Sequence, residues 1–110
     1  MYEFISKQNY KLRLDLEGTG ITFHYITGQD RRGDIFQVSQ SWPSIHALLA
    51  KLRQDQKYSS WDKSLLVWMQ DQELCLRIST RDRKLQQECK FSPEETANIM
   101  EFLGRAPNLN

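Results

Sequence analysis

Few residues of this 110-residue chain have the types and spacing that chemistry demands. His24 and His46 are its two histidines, and neither has a second imidazole, thiol or carboxylate at metal-ligand spacing. No CxxC or HExxH pattern occurs. Cys75 and Cys89 stand apart, with nothing beside them in sequence to lower a thiol pKa. Alternation puts Cys75 on an outward face and Cys89 on the apolar side of its strand. Gly18-Thr19-Gly20 is a hairpin turn, too short to cradle a phosphate. Glu94 and Glu95 belong to a helix cap rather than to an acid/base pair. No polar cluster marks a small-molecule site. The expectation is a non-enzymatic protein with no metal and no cofactor.

Cations and aromatic rings are the more suggestive set. Lys11 and Arg13 share one face of a strand, Arg31 and Arg32 form a basic turn, and Arg81, Arg83 and Lys84 form another. Arg77 lies on the polar side of a strand; His24 and Tyr25 lie mid-strand, and Trp68 sits in an apolar strand. Arginine meeting phosphates and ring faces stacking on bases are how proteins hold single-stranded nucleic acid. Asp15, Asp30, Asp34, Asp82 and Glu88 interrupt these basic stretches, and the formal net charge is only +1. A broad duplex-DNA surface is therefore excluded, since its affinity scales with the phosphates neutralised. The near-neutral balance favours self-association, so a homodimer is expected. Tyr58 and Trp61, in a polar stretch, form an aromatic patch that suits a protein partner instead.

The elements that must position these residues are read from periodicity. Tyr10–Leu16 alternates strictly and is a half-buried strand. Ile21–Ile26 and Ile35–Gln40 are further strands, and the short connections imply an antiparallel meander. Ser41 or Ser44 caps a helix that Pro43 opens, with Ile45, Leu48, Leu49 and Leu52 as its apolar stripe. Residues 54–63 form a linker. The pattern then restarts with strands at Leu65–Met69, Leu74–Ser79 and Leu85–Phe91. Ser92-Pro93-Glu94-Glu95 is a capping box. Its helix buries Ile99, Phe102 and Leu103, stops near Gly104, and leaves Asn108–Asn110 to fray.

A shift of fifty residues places Pro43 on Pro93, Gln37 on Gln87, Ile35 on Leu85, Ala47 on Ala97 and Arg31 on Arg81. Upstream of residue 35 that register weakens. The reading is an α+β fold of two β-β-β-α units, with antiparallel sheets and one helix each. They form a single domain over residues 1–110, with unit one about 10–53 and unit two about 65–106. One such unit leaves too much apolar surface uncovered; two share a core. No apolar run is long enough to cross a membrane, the longest being Leu65–Met69. No signal-peptide pattern is visible, and two unpaired cysteines suit a reducing, cytoplasmic setting.

The segments DIFQVSQSWPSIHALLAKL and KLQQECKFSPEETANIMEFL each run a strand into a helix opened by Ser and Pro. This layout resembles the PUR repeat (purine-rich element binding) and the related Whirly and single-strand-binding coactivator domains. Those families carry four strands per helix, against three read here. The resemblance implies a curved sheet that grips single-stranded DNA or RNA and dimerisation through helices. The leading expectation is thus a single-stranded nucleic-acid-binding module using Lys11, Arg13, Tyr25, Arg31, Arg32, Arg77, Arg81, Arg83 and Lys84. The alternative is a protein–protein adaptor or inhibitor acting through an edge strand or through Tyr58 and Trp61.

Overall fold

The computed structural model describes residues 2–28, 30 and 32–109. Among them the chain forms two four-stranded antiparallel sheets, each a simple meander followed by one helix. The first unit is β1 (Tyr2–Ile5), β2 (Lys11–Glu17), β3 (Gly20–Ile26), β4 (Gln37–Ser41) and α1 (Trp42–Arg53). The second is β5 (Tyr58–Ser59), β6 (Leu65–Gln70), β7 (Glu73–Ser79), β8 (Gln86–Lys90) and α2 (Pro93–Leu109). The α+β architecture of two similar units is as the periodicity implies. Each unit has four strands rather than three. The additional strands are four and two residues long, too short for a period of two to stand out.

Alternation decides which side chains fill the core. Leu12, Leu14, Ile21, Phe23, Tyr25 and Val38 point inward from the first sheet, and Leu65, Val67, Leu74, Leu76, Ile78 and Cys89 from the second. Pairing of Phe23 with Leu14 and Val38, and of Leu76 with Val67 and Cys89, makes Phe23 and Leu76 equivalent. The two units therefore match at a shift of fifty-three through β2 and β3, not fifty. The change has a simple origin. Residues 27–36 join β3 to β4, whereas the shorter stretch 80–85 joins β7 to β8. Counted between paired residues, Phe23 to Val38 is two residues longer than Leu76 to Cys89, so the shift falls from fifty-three in β2 and β3 to fifty-one in β4, and the fifty-residue register weakens upstream of residue 35.

Both helices close over one core. The Ser41 hydroxyl caps α1 by accepting from the Ser44 N–H at 3.4 Å. Ile45, Leu48, Leu49 and Leu52 are buried against the first sheet and also against β5 and β6 of the second unit. The Ser92 hydroxyl accepts from the Glu95 N–H at 3.2 Å at the start of α2. Glu95 does not bond back to its own cap; its Oε2 accepts from the Ile5 N–H at 2.9 Å, at the end of β1. Phe102 of α2 packs on Tyr2 and Phe4, with ring centroids 4.3 and 6.2 Å apart.

Helix α2 runs past Gly104 and through Pro107 to Leu109 rather than stopping near Gly104. Ala106 is fully buried, so packing holds the last turns where local propensity would release them. Pro107 removes one hydrogen bond near an end that is already short of partners. Because Phe102 fastens the second unit's helix to the first unit's edge strand, Phe102→Ala should cost about 3–5 kcal/mol. Urea unfolding should show this as a lower midpoint of a single transition for the whole chain.

Candidate functional site

The two inner faces are filled, so function is left to the outer faces, the edges and the turns. On the first sheet the outer face carries Glu3, Lys11, Arg13, Asp15, Thr22 and His24, by the register of β1 to β3. These charges satisfy one another. Arg13 Nε donates to Asp15 Oδ2 at 3.2 Å, His24 Nε2 lies 3.2 Å from the same oxygen, and Lys11 Nζ is 3.9 Å from Glu3. The longer connection then folds back across this face. His24 Nδ1 is 2.8 Å from the Gly33 carbonyl oxygen, and Arg13 Nη2 donates to the Arg32 carbonyl at 3.2 Å. Buried Asp30 shapes the connection by accepting the N–H groups of Gly33, Asp34 and Ile35. A Cβ on Gly33 would come within 2.9 Å of His24 and Ile26, and its φ is +72°. Close approach and a left-handed backbone both require glycine there.

The second sheet has only the six-residue turn at the equivalent place, and its outer face is partly open: Leu66, Trp68 and Arg77 are half-buried, while Cys75 and Ser79 are buried. Its cross-strand rows are Leu66–Arg77–Glu88 and Trp68–Cys75–Lys90. Half-buried Trp68 lies between two cations: Lys57 Nζ is 4.9 Å from the ring centroid and the Arg77 guanidinium carbon 6.0 Å. Arg77 Nη2 donates to Glu88 Oε2 at 3.0 Å, while its buried Nε has no hydrogen-bond partner. A cleft of about 360 Å3 runs beside Trp68, lined by Gln8, Gln70, Cys75, Glu88 and Lys90. At the fifty-three-residue shift, Trp68 and Arg77 occupy the places of Asp15 and His24. A carboxylate–imidazole contact stands on one sheet where an aromatic–cation pair stands on the other.

The turns bounding β6 and β7 are near copies. Ser60-Trp61-Asp62-Lys63-Ser64-Leu65 and Thr80-Arg81-Asp82-Arg83-Lys84-Leu85 share one hydrogen-bond scheme. The hydroxyl donates to the aspartate at 2.8 and 2.6 Å, and the same carboxylate accepts an N–H two residues on at 3.0 Å in both. Lys63 and Arg83, fourth in each turn, have φ of +63° and +62°. Arg83 Nη2 pairs with Asp62 Oδ2 at 3.4 Å, so one turn leans on the other. Hydrogen bonds, first that of the Ser64 hydroxyl, hold the Asp62 carboxyl down from 3.8 to about 2. This S/T-x-D-K/R-x-Leu repeat was legible in the sequence and was not part of the fifty-residue alignment.

The basic residues singled out from the sequence are thus dispersed. Arg77, Arg81, Arg83 and Lys84 lie on the open sheet or the turn that ends it. Lys11, Arg13 and Arg32 belong to the covered first sheet, and Arg13 is held by its partners there. Arg31 lies outside the described residues. Tyr25 is fully buried and cannot offer a ring face to a base; its hydroxyl is 3.0 Å from Ser6 Oγ. It alternates in step with Ile21 and Phe23, which places it on the inner face of β3. Tyr58 is likewise buried, donating to Gln40 Oε1 at 2.6 Å, while Gln40 Nε2 donates to the Ser39 carbonyl of the edge strand β4. Only Trp61 of that pair is exposed, at 96%, beside a polar cleft of about 580 Å3. Lys57 and Trp68 are the residues that sequence reasoning did not select.

Cys75 and Cys89 are both buried and free, on opposite faces of the second sheet. Among the described residues no group of three or more His, Cys, Asp or Glu side chains gathers to hold a metal. Both ring nitrogens of His24 already face protein oxygens, which leaves neither for a substrate.

Burial pushes the Tyr25 phenol from 10.0 up to about 12 and the Cys89 thiol from 9.0 up to about 12. Their folded pKa values lie above the unfolded ones, so this contribution is complete below about pH 9 and lost as pH rises towards 12. Chemical denaturation across that range should show stability falling, with a flatter fall in Tyr25→Phe and Cys89→Ala. Comparison of the chain with protein-family models, with curated proteins and with solved structures gives no match.

Proposed function

We propose that the protein is a non-enzymatic module that binds single-stranded DNA or RNA on the outer face of its second sheet, β5 to β8. The observation that carries this reading is Trp68, half-buried on an outer sheet face that no long connection crosses, and flanked by Lys57 and Arg77. A base stacks on the indole because every base has a π face, and the flanking cations meet the adjoining phosphates. The unpartnered Nε of Arg77 supplies a donor that a phosphate or base oxygen would satisfy. Arg81 and Lys84, exposed on the turn that ends the sheet, extend the cationic track. The first sheet is given no part in this reading, because Arg13, Asp15 and His24 are taken up by one another and by the folded-back connection, while exposed Lys11 lies beside Glu3 with no ring next to it. No helix among the described residues is long and apolar enough to cross a membrane. The reading also includes a reducing, cytoplasmic setting and a homodimer. The first is supported by two thiols held on opposite sheet faces, the second by the near-neutral charge.

A second reading rests on Trp61, the most exposed large apolar side chain described. A ring presented on a turn pinned by hydrogen bonds suits an anchor for a protein partner. The edge-strand version of that reading is weakened at β4, where Gln40 caps the Ser39 carbonyl and Tyr58 holds Gln40.

Fluorescence titration of a short labelled oligonucleotide at low salt separates these readings. Trp68→Ala should weaken binding by about 1–3 kcal/mol, the value of one stacked base. Arg77→Gln should weaken it and make the salt dependence shallower. Lys11→Ala and Trp61→Ala should leave affinity unchanged. An oligonucleotide that fails to bind the intact protein, or that binds Trp68→Ala equally well, contradicts the proposal.

A further inference from the structure

The outer face of the second sheet ends in a small polar pocket of about 250 Å3. Ser64, Ser79, Arg81 and Arg83 line it from the second unit, and Gln37 and Ser39 of β4 close its far side. Ser79 is only 3% exposed, yet its hydroxyl makes no hydrogen bond among the described residues. Its backbone N–H is taken up by the Ser64 carbonyl at 2.9 Å, which leaves the hydroxyl as the free group. Arg77 Nε, not Ser79 Oγ, is the sealed polar atom without a partner among the described residues, so the Ser79 hydroxyl is open to the pocket, where a ligand can meet it.

The charge of the pocket points to an anion. Asp62 is the one carboxylate in the lining. Its Oδ1 accepts from the hydroxyls of Ser60 and Ser64 and from the Ser64 N–H, and its Oδ2 faces Arg83 Nη2 at 3.4 Å. Arg83 balances that charge, and exposed Arg81 remains as a cation with no anionic partner among the described residues. Guanidinium donors with a free hydroxyl and amide groups are the set that a phosphate oxygen cluster uses.

Position narrows the ligand further. Cys75, Arg77 and Ser79 alternate along one face of β7, so the pocket lies one strand step beyond Arg77. Gln37 and Ser39 of β4 stand at the far side of the pocket, across the path of a strand that runs along this face from Trp68. We infer that the pocket takes the terminal phosphate monoester of a single-stranded oligonucleotide. This rests on reading the second sheet as the single-strand face, and it adds that the protein distinguishes phosphorylated ends from hydroxyl ends.

Two measurements on the intact chain keep the inference separable from that reading. In the first, inorganic phosphate is titrated into isotope-labelled protein and amide shifts are followed. Saturable shifts should centre on Ser64, Ser79 and Arg81, and should disappear in Arg81→Gln, whose exposed side chain is not needed for folding. In the second, one oligothymidylate is compared with a 5′-phosphate, a 3′-phosphate or two hydroxyl ends. One phosphorylated form should bind about tenfold tighter than the hydroxyl form, as charge-assisted bonds to one group allow. Ser79→Ala should erase that advantage and leave hydroxyl-ended affinity unchanged, Arg81→Gln should erase it while also weakening the hydroxyl-ended form as a residue of the cationic track, and Trp68→Ala should weaken all three. Absence of saturable phosphate shifts, or equal affinity of all three oligonucleotides, overturns the terminal-phosphate pocket. If no oligonucleotide binds at all, the single-strand face falls, and the terminal-phosphate assignment falls with it.

Discussion

A sheet with one apolar face must cover it, and neither half of this chain carries enough helix to do so alone. That requirement organises the molecule. Helix α1 covers its own sheet and reaches β5 and β6, while α2 packs on β7 and on β1 of the other unit. Phe102 set against Tyr2 and Phe4 is the most explicit of these crossings. A few kcal/mol separate a folded domain from its unfolded chain. A contact of this kind across the two halves therefore decides whether either half is ordered.

Once the inner faces are committed to a shared core, the outer faces are free to diverge. They have done so at matching positions. Asp15 and His24 on the first sheet correspond to Trp68 and Arg77 on the second. In the first pair His24, with neighbouring Arg13, binds a connecting segment that four additional residues make long enough to fold back. The second pair is left open, because six residues between β7 and β8 make only a tight turn. Closure and exposure are thus alternative results of loop length and two side-chain choices on one repeated frame. The open face gains an aromatic platform between two cations, and a polar pocket at its end.

Much of this was legible in the sequence, and the failures have physical causes. Long alternating segments such as Tyr10–Leu16 and the Ser-Pro helix openings gave the elements and their order. Tyr2–Ile5 and Tyr58–Ser59 were missed because a period of two has no contrast over so few residues. Gly104 and Pro107 suggested an early end to α2, and tertiary burial of Ala106 outweighed that local preference. Site residues were harder to find. Charge alone selected Arg13, but could not reveal that Asp15 and a folded-back carbonyl hold it. Tyr25 was selected as a mid-strand ring, although its alternation with Ile21 and Phe23 sends it into the core. Trp68 looked like core in an apolar run, since sequence does not say which face of a sheet is left bare.

Site-resolved amide hydrogen exchange under native conditions tests the shared core most directly. Slowly exchanging amides of β2 and β3 and those of β6 and β7 should report one common opening free energy, equal to that of global unfolding. They should also shift together when denaturant is added. If the strands of one sheet open at a clearly lower free energy while the other sheet stays protected, the two units are separately stable and the account is contradicted.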